Sequence, residues 1–316
     1  MTDTKKRLLT GIQSSGTLHI GNYFGALKPF VDMYQEYDSV LMVADYHALT
    51  SLKDPVQLRK NIYDVVKDYI ACGVDSDKCI LFRQSDNPDH TELAWILNCQ
   101  VTVPFLMQAH SYKDKVAKGL EPNAGLFTYP MLMAADITLY DTDVVPVGED
   151  QRQHLEYTRE AASKFNNTYG ERILKEPQEM ILKAVGIVPG TDGAKMSKSY
   201  GNTIPLFGTK DEIRKAVMGI VTDSEGARPE NVYAIHKLLK NEDELKELYN
   251  DHQGKYGILK EALIEDLEYF IKPMRDKRDS ITEGEVIEVL KKGAEKARAL
   301  SRVKLEQVRK AVGITL

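Results

Sequence analysis

Residues 10–26 of the chain read Thr10-Gly-Ile-Gln-Ser-Ser-Gly-Thr-Leu-His-Ile-Gly-Asn-Tyr-Phe-Gly-Ala26. The stretch leaves a predicted strand, Arg7–Ile12, passes Gly11 and Gly16, and enters a predicted helix near Leu18. A strand, a loop and a helix start in this order present free backbone N–H groups and the positive end of a helix dipole, which together bind anions such as phosphate. The stretch has neither the GxxxxGKS/T pattern of a P-loop nor the GxGxxG pattern of a dinucleotide-binding turn.

Outward from this stretch, short apolar runs alternate with amphipathic segments through the first half of the chain. The predicted strands are Arg7–Ile12, Val40–Ala44, Ile80–Arg83 and Val144–Val147. Predicted helices begin at Pro55 and run over 91–99, 130–139 and 151–165. This alternation predicts a Rossmann-like α/β fold, a doubly wound parallel sheet with helices on both faces. Because ligands of such sheets bind beyond the carboxyl ends of the strands, we expect functional residues in the loops that follow them.

From about Thr209 onward only helix patterns remain, at 210–219, 232–240, 243–249, 256–271 and 282–299. The glycine-containing segment 188–202 joins the two parts and is typical of a linker or loop. We therefore predict three units along the chain. They are an α/β domain over 1–200, a second, all-helical domain over 201–285, and basic C-terminal helices over 286–316, for which packing on the first domain is one option.

Composition and charge exclude several classes of protein. The chain has 316 residues, a net charge of −5 and ordinary hydrophobic and charged shares of 42% and 28%, so disorder and fibres are excluded. No apolar run approaches the roughly 18–20 residues of a membrane span, and the three cysteines predict free, buried thiols in a reducing cytoplasm. Mild acidity argues against non-specific coating of nucleic acid. The eight basic and three acidic residues of 286–316 leave room for a local RNA contact, for which Arg298, Arg302 and Lys304 are candidates.

Two short motifs carry most of the chemical signal. His19 and Asn22 lie three residues apart at the predicted helix start, and Gly21 lets a ligand approach the backbone. The segment Lys195-Met-Ser-Lys-Ser199 sets two lysines and two hydroxyls in a flexible stretch suited to a polyphosphate. Taken singly, His19 also fits a capping or solvated residue, and 195–199 also fits an exposed basic linker.

A third motif, Tyr129-Pro-Met-Leu-Met-Ala-Ala-Asp-Ile137, predicts a helix with Pro130 at its first position. Tyr129, Met133 and Asp136 then share one face. A carboxylate on an otherwise apolar face is costly to bury without a partner, unless it is a surface residue or an internal cap.

The two short motifs resemble the signature motifs of the class I aminoacyl-tRNA synthetases. The surrounding text, GIQSSGTLHIGNYFGAL, TYPMLMAADI and VGEDQRQHLEYTRE, resembles the tryptophanyl branch over nearly the whole catalytic half and more loosely beyond it. Most class I enzymes have a second histidine at the position of Asn22. The asparagine found here resembles a variation of the tryptophanyl branch. Ser14 replaces a common proline, and Leu9 stands where some members place an aromatic side chain against the indole.

The resemblance implies site residues for each substrate. His19, Asn22, Lys195 and Lys198 would be catalytic. The implied ATP-binding residues are Gln13, Ser14, Ser15, Gly21, Asn22, Lys115, Gly148, Glu149, Asp150, Val188, Lys195, Met196, Ser197, Lys198 and Ser199. The implied tryptophan-binding residues are Tyr129, Met133, Asp136, Ile137, Gln151 and His47. Lys115 also fits a solvated loop lysine, and His154 and Thr158 fit structural packing better than binding.

Asp136 would accept the indole N–H, so phenylalanine would leave this carboxylate unpaired and would be rejected by several orders of magnitude.

The resemblance also implies the roles of the units, the reaction and its partners. Residues 1–200, including the lysine segment, would form the catalytic domain that binds ATP and the amino acid, and 201–285 would bind the anticodon. The enzyme would activate L-tryptophan with ATP, with Mg²⁺ bound through the ATP phosphates rather than at a protein metal site, and would pass the acyl group to its cognate tRNA. It would be a cytoplasmic homodimer without membrane or DNA partners. A tyrosyl-tRNA synthetase, a nucleotidyltransferase that adenylylates a small molecule, and a catalytically dead paralogue are the alternatives.

Overall fold

A computed structural model of the chain describes residues 5–12, 16–109, 112–113, 117, 119, 121–147, 152–170, 172–181, 187–222 and 228–315. Five parallel strands form one sheet in the order β3-β2-β1-β4-β5. The strands are β1 (Arg7–Ile12), β2 (Asp38–Val43), β3 (Ile80–Arg83), β4 (Val144–Val147) and β5 (Gln178–Ile181). The predicted parallel sheet is confirmed.

Helices cover both faces of the sheet and make up the second half of the chain. The first helical segment runs through Ile20–Asn22 (α1), a π-helical stretch Tyr23–Leu27, and Lys28–Met33 (α2). The others in the first half are α3 (Asp45–Ala48), α4 (Pro55–Ala71), α5 (Asp89–Asn98), α6 (Val103–Leu106), α7 (Ala124–Thr138) and α8 (Arg152–Tyr169). The second half contains α9 (Lys210–Met218), α10 (Glu230–His236), α11 (Glu242–Asp251), α12 (Tyr256–Ser280) and α13 (Glu283–Val312).

Alternate residues of the strands enter two hydrophobic cores, one on each face. Leu8 and Leu41 join the core that includes α4 and reaches α9 and α12 of the helical half, through Ile213 and Leu263. Side chains that point the other way, such as Met42, pack among α5, α7, α8 and α13. Since strand side chains alternate between faces, a parallel sheet covered on both sides produces this division.

Helix α13 covers the edge strand β3. Its Gly293 lies against the strand backbone so closely that a Cβ there would be 1.8 Å from the Leu81 carbonyl oxygen. Glycine therefore permits this approach, and the helix shields a sheet edge that would otherwise be open to pairing.

Lys304 of α13 is 7% exposed, and its ammonium donates to the Ile173 carbonyl at 2.6 Å and pairs with Asp141 at 2.6 Å. The expectation that Lys304 contacts tRNA is wrong, because the residue anchors α13 to the first half of the chain.

Three further expectations are corrected. Strand β5 was not predicted, since its four residues include the polar Gln178 and Glu179. Pro130 lies inside α7, which begins at Ala124 after an Asn123 cap, and not at its first position. Cys99 is exposed, whereas the other two cysteines are buried. Among the described residues, no helix is both long and apolar enough to cross a bilayer.

Candidate active site

His19 begins the first helical segment and is held by a reciprocal pair of hydrogen bonds. Its Nδ1 accepts from the Asn22 backbone N–H at 3.2 Å, while the Asn22 side-chain oxygen accepts from the His19 N–H at 3.2 Å. An accepting Nδ1 leaves the proton of the neutral ring on Nε2. Burial and the nearby Lys198 charge lower the pKa of His19 to about 4, so the ring is a neutral donor at pH 7. The cap and the functional interpretation of His19 are therefore compatible.

Gly21 has a steric reason to be glycine. A Cβ at this position would lie 2.9 Å from His19 Nδ1 and 3.1 Å from the Met196 Cβ. Because real Cβ contacts are longer, any side chain would push the imidazole or the lysine segment away. Gly21 therefore allows the two signature motifs to meet.

The segment that follows the lysines pairs with the first loop. The Ile20 N–H donates to the Ile204 carbonyl at 3.0 Å, and the Leu206 N–H donates to the Leu18 carbonyl at 3.0 Å. Lys198 Nζ lies 3.3 Å from where a Gly16 Cβ would stand. These contacts bring Lys198 and His19 to the same place.

Asn202 fixes the lysine segment and was missed in the sequence. Its side-chain oxygen accepts from the Ser197 N–H at 2.8 Å, and its amide donates to Asp192 at 2.7 Å and to the Lys195 carbonyl at 3.1 Å. Asn202 is 2% exposed. The contact between Asn202 and Ser197 depends on how the loop between them folds. No local sequence pattern therefore predicts it.

The ATP-binding candidates of this segment differ in their surroundings. Val188 and Met196 are buried in the core, and the Met196 N–H donates to the Val188 carbonyl at 2.9 Å. Lys195 and Ser199 are exposed, and the Ser199 hydroxyl lies 2.9 Å from that of Ser197. The side chains of Val188 and Met196 therefore pack in the core, while those of Lys195 and Ser199 extend toward solvent.

The remaining candidates for ATP and the amino-acid head group lie outside the described residues. They are Gln13, Ser14, Ser15, Lys115, Gly148, Glu149, Asp150 and Gln151.

An ion pair links the helical half to α4 close to Lys198. Arg278 donates to Asp68 at 2.5 Å and to Asp64 at 2.8 Å. Burial raises the pKa of Asp68 to about 6, and the charge of Arg278 opposes this rise. Burial lowers the pKa of Lys198, and the negative charge of Asp68 opposes this lowering. The charge of Asp68 and those of Lys198 and Arg278 therefore shift one another's pKa values beside the first loop.

A cavity of about 330 Å³ lies at the carboxyl ends of the strands. Most of its lining is apolar. The lining residues are Leu9, Thr10, Gly11, Met42, Ala44, His47, Tyr129, Met133, Asp136, Ile137, Val145, Pro146, Val147 and His154. The structure therefore brings together five of the six residues implied to bind tryptophan, all except Gln151. Leu9 also lines this cavity.

Asp136 lies at this cavity, 2% exposed, and accepts hydrogen bonds from three side chains. These donors are His47 Nε2 at 2.8 Å, Gln84 Nε2 at 2.8 and 3.0 Å to the two oxygens, and His90 Nδ1 at 2.7 Å. Burial alone would raise the pKa of Asp136, but the bonds from His47 and His90 outweigh it and lower the pKa to about 2. The carboxylate is therefore ionised at pH 7.

The three donors correct the expectation about phenylalanine. Asp136 is not left unpaired without an indole, because His47, Gln84 and His90 already satisfy it. Each of its oxygens already accepts two hydrogen bonds, so an indole N–H would have to displace one of them, for which the Gln84 contact at 3.0 Å is the longest. Losing a single hydrogen bond to a charged group costs about 1.5–3 kcal/mol. The discrimination expected from Asp136 alone is therefore about 10- to 150-fold, less than the sequence predicts.

A buried chain of hydrogen bonds extends from Asp136 to α13. With Nδ1 donating to Asp136, His90 accepts at Nε2 from the Tyr140 hydroxyl at 2.8 Å. The Asn87 amide donates to that hydroxyl at 3.0 Å and to the Ser301 hydroxyl at 2.9 Å. His90, Asn87 and Ser301 are fully buried. Every donor finds an acceptor, so the network fixes both the His90 tautomer and the Asp136 orientation.

Tyr129 and His154 form the opposite side of the cavity, where the Tyr129 hydroxyl lies 2.6 Å from His154 Nε2. His154 also lines the cavity, and its ring packs edge-on against Tyr129. Thr158 is fully buried and donates to the His154 carbonyl at 3.2 Å, as expected of a structural residue.

A family model described as tRNA synthetases class I (W and Y) matches residues 1–303. The chain therefore belongs to the class I aminoacyl-tRNA synthetases, in the branch of tryptophan and tyrosine enzymes, and is an ATP-dependent ligase by family.

Within that branch its relatives are tryptophan enzymes. A tryptophan–tRNA ligase of Fusobacterium nucleatum subsp. nucleatum is 47% identical over 319 residues, covering 98% of each chain. The crystal structure of tryptophanyl-tRNA synthetase from Campylobacter jejuni complexed with ADP and tryptophan has a TM-score of 0.92 at 42% identity, covering 97% of this chain and 99% of that one. The Mycoplasma pneumoniae tryptophanyl-tRNA synthetase has a TM-score of 0.82 at 31% identity, covering 98% of each chain.

Proposed function

We infer that this protein is a tryptophan–tRNA ligase, which activates L-tryptophan with ATP and transfers it to the 3′ end of its cognate tRNA. The observation that carries this inference is the buried Asp136 carboxylate in an apolar cavity at the carboxyl ends of the strands, the edge of the sheet from which the first loop leaves β1. An apolar cavity with one buried acceptor suits an indole, which is a flat apolar ring with a single N–H donor.

Activation is an in-line attack of the amino-acid carboxylate on the α-phosphorus of ATP, which expels pyrophosphate. The attacking carboxylate is already ionised at pH 7, so no protein base has to remove a proton. Catalysis therefore rests on positioning and on stabilising the charge of the phosphates. ATP brings Mg²⁺ on its phosphate oxygens, which neutralises part of that charge.

On the amino-acid side, Asp136 accepts the indole N–H, while Met133, Ile137 and Tyr129 pack against the ring. His47 holds the carboxylate from the side of α3. Gln151 is proposed to bind the amino-acid head group. A tyrosine enzyme would need a second polar group for the phenolic hydroxyl, and Met133 occupies a promising place for it.

On the nucleotide side, neutral His19 is a hydrogen-bond donor through Nε2, and Asn22 keeps its ring in position. Lys195 and Lys198 bind the pyrophosphate end with Lys115, and Ser197 and Ser199 add hydroxyl donors. Gln13, Ser14, Ser15 and Gly21 are proposed to bind ATP, and Gly148, Glu149 and Asp150 are proposed to contact its ribose. Val188 and Met196 contribute through their backbone.

The partners and assembly are part of the same proposal. The protein binds ATP with Mg²⁺, L-tryptophan and cognate tRNA, and it acts in the cytoplasm as a homodimer. The domain limits at 200 and 285 remain a prediction, with 201–285 binding the anticodon.

Amino-acid-dependent exchange of pyrophosphate into ATP tests the activity directly. We expect exchange with L-tryptophan and at least a hundredfold less with tyrosine and phenylalanine, followed by charging of tRNA. Exchange with tyrosine alone would identify the sister enzyme. Exchange without tRNA charging would favour a nucleotidyltransferase, and no exchange with any amino acid would indicate a dead paralogue.

Replacing Lys195 or Lys198 by alanine should slow adenylate formation by about 100-fold, the usual effect of removing one donor that stabilises transition-state charge. Tryptophan binding should persist, because neither lysine borders the cavity of Asp136. Single-turnover adenylate formation and equilibrium tryptophan binding measure the two effects. Lys210→Ala, a change of an exposed lysine just beyond the segment, serves as the control. Loss of tryptophan binding in the Lys198 variant would point to misfolding instead.

A further inference from the structure

A second groove, of about 520 Å³, lies at the same edge of the sheet as the amino-acid cavity. Asp45 borders this groove, while its neighbours Ala44 and His47 border the amino-acid cavity. The short segment 44–47 therefore separates the two. The other walls come from α4, from the end of β3 and from the first half of α13.

Four basic side chains line this groove, namely Arg59, Arg83, Lys291 and Arg298. Arg59, Lys291 and Arg298 are exposed and make no hydrogen bond or ion pair with any residue that the structure describes. The two acids of the lining, Asp45 and Asp86, both lie near Arg83. The positive charges of Arg59, Lys291 and Arg298 are therefore not neutralised by any acidic side chain that the structure describes.

Arg83 itself is only partly satisfied. Its Nη2 donates to Asp86 at 2.5 Å, but its Nε is buried and makes no hydrogen bond. The nearest carboxylate oxygen, on Asp45, is 3.9 Å from Nε, beyond hydrogen-bond reach. A buried donor without an acceptor is rare in folded proteins and points to a ligand atom or a water.

The groove differs from the rest of the described surface, where arginines are mostly paired. Six arginines elsewhere each bind a carboxylate: Arg7, Arg214, Arg228, Arg275, Arg278 and Arg309. The described arginines without any hydrogen bond or ion pair are Arg59, Arg172, Arg298 and Arg302. Two of these four line this groove, and Arg302 lies one helical turn beyond Arg298.

We propose that this groove binds backbone phosphates of the tRNA next to its 3′ end, an inference that rests on the proposed function. The reacting 3′ adenosine must reach the amino-acid cavity, so the preceding nucleotides must cross the edge of the sheet on which the groove opens. Phosphates along an RNA strand match several cations that lack partners. A chain with a net charge of −5 needs such a local positive surface to attract RNA.

The test is a double substitution, Arg59→Gln with Arg298→Gln. Filter binding of the cognate tRNA at several salt concentrations should show about tenfold weaker binding. The slope of log affinity against log salt should become shallower by about 1.4, since each lost contact to a single strand removes about 0.7. The ratio of tRNA charging to pyrophosphate exchange should also fall about tenfold, because exchange requires no tRNA.

A matched double substitution, Lys78→Gln with Lys292→Gln, removes the same total charge from exposed lysines that are paired with Asp75 and Glu288. We expect its tRNA affinity and salt slope to stay within twofold of the parent. An unchanged affinity and slope in the groove variant, or an equal loss in the control, overturns the proposal. If the parent protein binds tRNA but catalyses no exchange, the proposed function fails while the binding result still decides the groove.

Discussion

Replacing Asp136 by alanine is expected to raise the KM for tryptophan by about 100-fold, while the KM for ATP changes less than threefold. The substitution removes the acceptor of the indole N–H, a hydrogen bond to a charged group worth about 1.5–3 kcal/mol. It also leaves His47, Gln84 and His90 without their shared acceptor. Pyrophosphate exchange at varied tryptophan and varied ATP separates the two KM values.

The Asp136→Asn variant is the sharper companion because it keeps the shape of the side chain. Its amide nitrogen would face a donor where the carboxylate accepts, so tryptophan affinity should still fall, but by less than in Asp136→Ala. An unchanged KM for tryptophan in both variants would remove Asp136 from indole recognition. A parallel rise in the KM for ATP would instead mean that the whole site is disturbed.

Asp136 should also make stability depend on pH. Its pKa of about 2 in the fold lies below the roughly 3.9 of an unfolded aspartate, so the folded state favours the ionised form. The stabilisation is therefore complete above about pH 4 and is lost as the pH falls toward 2. The difference in free energy of unfolding between the parent and Asp136→Asn should narrow on going from pH 5 to pH 3, as measured by urea unfolding.

The sequence predicted the parts of this molecule whose signal is local. The predicted bounds of three strands, Arg7–Ile12, Ile80–Arg83 and Val144–Val147, match the observed ones. Each strand is a short apolar run between turn residues, which is a local signal. The start of α7 was misplaced because proline is common at the first helical position, whereas Asn123 supplies the cap six residues before Tyr129.

In the candidate site, too, the residues with a local sequence signal could be predicted, and those placed by tertiary contacts could not. His19 and Lys198 lie in recognisable motifs, but their contact depends on a pairing between segments nearly 190 residues apart. Gln84 directly follows β3, so the rule about strand ends gave a signal for it that was not used. His90 and Asn202 gave none, since their roles come from tertiary partners.

Replacing Gly293 by alanine is expected to lower the free energy of unfolding by about 3 kcal/mol or more, the upper range for overpacking. Helix propensity predicts the opposite sign, because alanine is favoured over glycine by about 1 kcal/mol inside a helix. The new Cβ would lie 1.8 Å from the Leu81 carbonyl oxygen and 2.5 Å from its carbonyl carbon. Both are backbone atoms of β3, so neither can rotate aside and α13 must move away from the strand.

The control is Gly284→Ala in the first turn of the same helix, where the nearest atom, the Thr282 hydroxyl oxygen, would be 3.9 Å from the new Cβ. Urea unfolding should show a midpoint equal to or above that of the parent for Gly284→Ala and a much lower one for Gly293→Ala. Since Ser301 of α13 bonds Asn87, the displaced helix should also loosen the network behind Asp136 and raise the KM for tryptophan. A Gly293→Ala protein as stable as the Gly284→Ala protein would mean that α13 does not lie against β3 as closely as described.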